Sequence, residues 1–224
     1  MSAADALEHA GFAIVADAVP APRLHAAGRA FDALAPGSAG TRRLLAQDWC
    51  RALADELRTH PAVAPALPAA HVAVQCTAFE KSAARNWLVT LHQDLSIPVA
   101  ARVDDPALRG WARKEGTWFV QPPAALLAQL VAIRLHLDDC GETDGALQVV
   151  PGSHRHGGLA DADAFALRAA SPPVACTLAR GGAMLMRPLL LHASSKATGT
   201  SRRRVLHFVY GPPALPHGLE WAPV

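Results

Sequence analysis

Trp87-Leu88-Val89-Thr90-Leu91-His92-Gln93-Asp94 is a β-rich run that opens into Leu95-Ser96-Ile97-Pro98 and a long polar stretch. Side chains of a strand alternate between its two faces, so His92 and Asp94 share one face. An imidazole and a carboxylate side by side, where a strand gives way to a loop, make half of an accessible metal site. His192, about a hundred residues further on, supplies a further imidazole. Two imidazoles and one carboxylate occupy one face of an octahedral Fe(II) and leave three positions open. Such a triad requires a fold that sets distant strands face to face.

The chain around this run provides those strands. His71 to Phe79 precedes it, and Leu130-Val131-Ala132-Ile133-Arg134-Leu135-His136-Leu137-Asp138 reads as a core strand. Ala146 to Val150, Val174 to Leu178, Ala183 to Arg187, Leu189 to His192 and Arg203 to Tyr210 complete the set. Asp144-Gly145 reads as a tight turn of hairpin type. The first third has a helical period instead: Ala3 to Ala10 ending at Gly11, a helix opened by Pro20 and Pro22 and running to about Leu34, and Leu44 to Thr59. Between the last two helices, 37–40 is a loop. About eight short strands behind helices imply a closed or sandwiched all-β core with helical buttressing. We expect a single domain over 1–224, with 1–70 mainly helical support and 71–211 the β core. The segment 95–121 is an inserted excursion of the kind that forms lids and binding loops.

Bulk properties narrow the function. A chain of 224 residues with 51% hydrophobic and 18% charged residues has ample material for a core. A net charge of +2 argues against a dedicated nucleic-acid surface, and Arg202-Arg203-Arg204 is the only basic run. Four cysteines without C-x-x-C spacing suggest neither zinc knuckle nor disulfide framework. No signal-like or membrane-spanning stretch stands out, so a soluble, cytoplasmic protein acting on a small molecule is expected.

Arg203 stands eleven residues past His192. A guanidinium there can hold a dicarboxylate through a planar, bidentate fork. With the triad it describes a site for Fe(II), 2-oxoglutarate and O2. Arg202 and Arg204 are the alternatives if the strand is irregular. A second His-x-Asp, His136-Leu137-Asp138, lies inside the core strand, where a satisfied barrel histidine or a cavity wall is the plainer reading. Arg134 and His136 share a strand face with Ala132, and a buried arginine demands an anionic partner. That partner is either a substrate carboxylate or phosphate held between them, or Asp138 or Glu115. His207 shares its parity with Arg203. Trp111 and Trp118 are candidate lid aromatics over the substrate, or surface anchors. His154 and His156 have ligand-like spacing but sit in a glycine-rich loop.

Asn86-Trp87 before His92-Gln93-Asp94, Leu135-His136-Leu137-Asp138-Asp139, Asp144-Gly145-Ala146-Leu147, Val150-Pro151-Gly152-Ser153-His154 and Gly181-Gly182 before His192 together resemble the phytanoyl-CoA dioxygenase family. The resemblance runs from Gly11 to Tyr210. It implies a double-stranded β-helix (jelly roll) that uses Fe(II), 2-oxoglutarate and O2. It also implies an oxidoreductase that couples decarboxylation of 2-oxoglutarate to succinate and CO2 with hydroxylation of an unactivated C–H bond. Carried over by motif, His92, Asp94 and His192 match the iron ligands and Arg203 the arginine that pairs with the distal carboxylate. Gln75 matches a glutamine near the cosubstrate, or else is a buried glutamine bonded to backbone. Related iron halogenases lack the ligand carboxylate, which this chain keeps as Asp94, so hydroxylation is the expected outcome. Two rivals remain: a cupin-like Zn or Mn isomerase or hydrolase on the same barrel, and a non-catalytic small-molecule-binding barrel.

Overall fold

Two faces of one sheet, one turned to helices and one to a cavity, organise the molecule. The computed structural model describes residues 1–34 and 40–224, so the loop expected over 37–40 lies, Gly40 apart, outside the described residues. In chain order the elements are α1 (Ala3–Ala10), β1 (Phe12–Val15), α2 (Ala21–Asp32), β2 (Gly40–Thr41), α3 (Asp48–Thr59), β3 (Val72–Lys81) and β4 (Val89–His92). There follow β5 (Ile97–Val99), β6 (Arg109–Lys114), β7 (Thr117–Gln121), α4 (Ala124–Leu127), β8 (Val131–His136) and β9 (Leu147–Val149). The last are α5 (Asp161–Ala170), β10 (Val174–Cys176), β11 (Ala183–Met186), β12 (His192–Ser194) and β13 (Arg203–Gly211).

A six-stranded sheet in the order β1-β11-β8-β13-β3-β2 lies opposite a four-stranded sheet in the order β10-β9-β12-β4. Every pairing between these strands is antiparallel, as in a double-stranded β-helix. Strand parity then divides the large sheet. Val131, Ile133 and Leu135 of β8, with Leu206, Phe208 and Tyr210 of β13, pack against Leu7, Leu24, Phe31, Leu53 and Leu57 of the helices. Ala132 and Arg134 of β8, Arg203, His207 and Val209 of β13, and Gln75, Thr77, Phe79 and Lys81 of β3 face the cavity between the sheets. All of β8 is buried because both of its faces are covered, which is why it reads as an uninterrupted apolar run broken only by Arg134 and His136.

The helices begin and end where the sequence provides stops. Ser2 and Asp5 form a reciprocal capping box on α1, and Gly11 closes it with φ +83°. The helix expected from Leu44 to Thr59 is divided: a short 3₁₀ turn over Leu44–Ala46 meets α3 at Gln47, whose ψ of 129° is extended. Tyr210, fully buried, donates its hydroxyl to the Ala54 carbonyl at 2.8 Å and ties α3 to β13.

Three expectations change in detail. The excursion 95–121 contains a three-stranded antiparallel sheet, β5-β7-β6, whose Ile97, Val99 and Val120 join Leu126, Leu127 and Leu130 in a second apolar cluster. Asp144-Gly145 does not close a hairpin. Asp144 accepts the Gly141 backbone N–H at 2.7 Å, a 3₁₀ turn follows, and the chain passes from β8 in one sheet to β9 in the other. Pairing near Leu189–His192 begins only at His192, the preceding leucines turning into the interior.

Candidate metal centre and its cavity

His92 ends β4 and His192 begins β12, and the two are direct partners in the antiparallel register. Their ring centroids stand 4.1 Å apart. Each Nδ1 is bonded to the carbonyl two residues back, His92 to Thr90 and His192 to Leu190, both at 2.8 Å. A carbonyl can only accept, so both Nδ1 atoms carry the hydrogen and both Nε2 atoms keep a free lone pair. Those Nε2 atoms lie 3.8 Å from the two Asp94 carboxylate oxygens. Among the described residues, one group of His, Cys, Asp or Glu has the spacing to hold a metal ion, and it is His92, Asp94 and His192, with ligand atoms within 4.8 Å of one another.

Electrostatics favour a ligand set here. Burial pushes the His192 imidazole down to about 4, so it is neutral near pH 7. Burial alone would raise Asp94, but His192, His207, His92 and Arg134 outweigh it and hold the carboxyl below its ordinary range. The Asp94 side chain keeps 40% exposure, yet it lines the cavity between the sheets. Enclosure there explains how it is partly exposed and desolvated at once.

The backbone around the triad is fixed by side chains from elsewhere in the sequence. Gln93 points away from its neighbours and donates to Leu189 O at 2.6 Å and Gly157 O at 2.8 Å, while accepting from Leu159 N at 2.9 Å. Ser153 of the Pro-Gly-Ser-His motif accepts the Leu191 N–H at 2.8 Å, one residue before His192. Asn86 holds both backbone groups of Ala197 and so ties the segment after His192 to the approach to β4. His154 is a structural residue of the same turn, its Nε2 3.2 Å from Glu8 O beneath the end of α1.

The triad opens on a cavity of about 460 Å³. Arg203, 5% exposed, reaches it from β13 and donates Nη1 to the Gly145 carbonyl, while its Nε–H has no partner among the described residues. Lys81, 1% exposed, stands on the partner strand in register with Arg203 and donates to Ser194 Oγ at 2.7 Å and to Ser195 O. Gln75 lines the cavity and donates to Thr77 Oγ1 at 2.9 Å, so its partner is a side chain rather than backbone. Arg134 lines it too, and its Nη1 lies 3.1 Å from His207 Nδ1. His207 Nε2 is in turn 3.9 Å from Asp94.

Other candidates fall elsewhere. His136 is buried but does not line the cavity, and its Nδ1 has no partner among the described residues. Trp111 packs edge-on against Trp118 at 6.1 Å in the β5-β7-β6 sheet and does not line the cavity, although Lys114 at the end of the same strand does. Asp138 and Glu115 do not serve Arg134. Asp138 is held by Arg204 from 2.7 Å and Glu115 by Arg42 from 2.9 Å. Arg202 pairs with Asp32 and Glu80, and Arg204 with Asp32 and Asp138, so strand parity leaves Arg203 alone facing inward. Lys81, Phe79, Phe119 and Lys114 line the cavity without having been singled out from the sequence. The parity of Gln75 and Thr77, extended two and four residues along β3, was the available signal for Phe79 and Lys81.

The family model described as phytanoyl-CoA dioxygenase matches residues 7–205. No curated protein matches the chain. Among solved structures, the fold is similar to the non-haem α-ketoglutarate-dependent carbocyclase SnoK from nogalamycin biosynthesis, at 14% identity and TM-score 0.66, covering 99% of this chain and 92% of that one. EctD from S. alaskensis with bound Fe gives 20% identity and TM-score 0.68 over 98% of this chain and 78% of that one. HygX from Streptomyces hygroscopicus with nickel and 2-oxoglutarate bound gives 15% identity and TM-score 0.63, over 92% and 84%.

Proposed function

The chain belongs to the phytanoyl-CoA dioxygenase family, and from that premise we propose that it is an Fe(II)- and 2-oxoglutarate-dependent hydroxylase of a small organic metabolite. The overall change is RH + O2 + 2-oxoglutarate to ROH + succinate + CO2. His92, Asp94 and His192 bind the iron, and Arg203 orients the cosubstrate. The observation that carries this reading is the convergence of two lone-pair-bearing Nε2 atoms on one carboxylate, in a cavity shared with a buried arginine whose Nε–H is unspent.

When bound, the iron activates O2 and 2-oxoglutarate supplies two electrons by its decarboxylation. The chain's own residues provide everything else. The Thr90 and Leu190 carbonyls lock both imidazoles in the tautomer that offers Nε2. Asp94 keeps its negative charge and leaves no room in the ligand set for a halide. Arg203, anchored through one nitrogen on Gly145, keeps donors for a distal carboxylate. Phe79, Ile97, Phe119, Leu127 and Leu130 give the cavity apolar walls that exclude water from the reacting centre.

Anaerobic titration with Fe(II) and 2-oxoglutarate tests the assignment through the visible charge-transfer band of the chelate. The band is expected in the wild type and absent in Asp94→Ala. In Arg203→Ala, loss of a charged hydrogen-bonding pair weakens 2-oxoglutarate by roughly tenfold to a hundredfold. Succinate release with a product one oxygen atom heavier then identifies hydroxylation. Tight Zn or Mn binding with no response to 2-oxoglutarate would instead favour a cupin-like enzyme.

A further inference from the structure

We propose that the cavity contains a second oxyanion site at Arg134, separate from Arg203, and that it takes the carboxylate or phosphate of the substrate. This rests on the oxygenase reading and extends it to the class of substrate.

Arg134 is in the middle of β8 and only 8% exposed. Among the described residues its surroundings are a histidine at 3.1 Å, the face of Phe79 with the ring centroid at 5.6 Å, and no carboxylate in hydrogen-bonding contact. Its Nε–H, like that of Arg203, has no partner among the described residues. A buried guanidinium with no carboxylate bonded to it is costly, since Asp94 acts on it only from a distance, and burial draws Arg134 down to about 10. An oxyanion lying against a guanidinium through two parallel N–H bonds removes that cost.

Charge balance points the same way. Among the described residues, three buried cations, Arg134, Arg203 and Lys81, share the cavity with one carboxylate, Asp94. A divalent ion and a dianionic cosubstrate cancel each other, so the excess of two positive charges persists with both bound. A neutral substrate leaves that excess buried, whereas an anionic one relieves it.

The two arginines also spring from different positions along the barrel. Arg134 pairs with His207 in the β8–β13 register, four residues along β13 from Arg203, or about 13 Å of strand. Arg134 contacts His207, which lies 3.9 Å from Asp94, so an anion held there sits beside the triad. The hydroxylated carbon is then close to the group that binds Arg134.

The test follows arginine Nε–H resonances of isotope-labelled protein, metal-free and loaded with diamagnetic Zn(II). Arg134 is assigned by the signal lost in Arg134→Lys, and Arg203 by the one lost in Arg203→Lys. Acetate and inorganic phosphate are the probes, because they enter whatever the remainder of the substrate requires. We expect 2-oxoglutarate with Zn(II) to shift Arg203 and leave Arg134 in place. Acetate or phosphate then shifts Arg134 saturably, and the stronger of the two identifies the anion. Arg134→Gln, checked for folding by its thermal midpoint, should weaken that binding at least tenfold as read by backbone amide shifts around His207. A shift of Arg134 by 2-oxoglutarate as large as that of Arg203 would assign Arg134 to the cosubstrate and overturn the proposal. So would the absence of any response to either anion up to about 100 mM. If 2-oxoglutarate moves neither arginine, the oxygenase reading fails, and the anion titration of metal-free protein still decides the role of Arg134.

Discussion

Gly145 shows how one residue can govern the site without touching a ligand. Its φ is +65°, and a Cβ there would fall 2.5 Å from the Ser195 carbonyl oxygen and 3.2 Å from Lys81 Nζ. Its own carbonyl accepts from Ser194 Oγ at 2.7 Å and from Arg203. Gly145→Ala should therefore cost about 1–3 kcal/mol of stability, and should weaken 2-oxoglutarate with it. Thermal unfolding and the charge-transfer titration measure the two effects. His136 makes a different prediction. Burial, with Arg134 and Arg203 nearby, depresses its imidazole from 6.5 to about 3. The unfolded chain takes up that proton near pH 6.5 and the folded chain does not, so stability is full above pH 6.5 and falls as pH drops towards 3. The loss is on the order of 1 kcal/mol per pH unit for each such imidazole. Denaturant titrations of metal-free protein should show a shallower pH dependence in His136→Gln than in the wild type. At this scale the sequence was legible where chemistry constrains residue type: it picked out His92, Asp94 and His192, whose ligand atoms lie within 4.8 Å of one another, and Arg203, which lines the same cavity. It was silent on Gln93, whose three hydrogen bonds to loops 157–159 and 189 depend on contacts made far along the chain.

Among elements, β13 carries most of the information. Its even residue Arg204 faces out and binds Asp138 at the end of β8 through both carboxylate oxygens, then reaches Asp32 and Gly28 O on α2. Its odd neighbour Arg203 faces in. Arg204→Met should thus lower stability by about 2 kcal/mol and leave the Fe(II)–2-oxoglutarate band in place, whereas Arg203→Met should do the reverse. Chemical denaturation and anaerobic titration of the two variants separate the cases, and equal loss of the band in both would disprove the register. Strand parity was enough to choose Arg203 because β13 is regular until the bulge at Val209/Tyr210. Parity said less about 95–121. Its polar composition hides the strands of a small sheet whose apolar partners, Leu126, Leu127 and Leu130, come from outside the segment.

For the whole molecule, the consequence of a site built between two sheets is coupling of ligand binding to stability. His92 comes from the end of one strand and Asp94 from just beyond it, His192 from another strand, and Arg203 from the opposite sheet. An unfolded chain cannot assemble them. Fe(II) and 2-oxoglutarate, each at a hundred times its dissociation constant, should each stabilise by about 2.7 kcal/mol. The gain is read as a rise in thermal midpoint under anaerobic conditions, reversed by a chelator and missing in Asp94→Ala. Among the described residues, no helix is long and apolar enough to cross a membrane. By itself the sequence determined the period of each strand, the helix stops at Gly11 and before Pro61, and which side chains are of a type that could bind a metal or an anion, because these follow from local geometry and side-chain type. The tertiary structure alone decided which cations share the cavity with Asp94, that Asp138 belongs to Arg204 rather than Arg134, and that Trp111 stands apart. Those facts depend on which strands become neighbours across the barrel, and pairing over a hundred residues of chain leaves no local mark in the sequence.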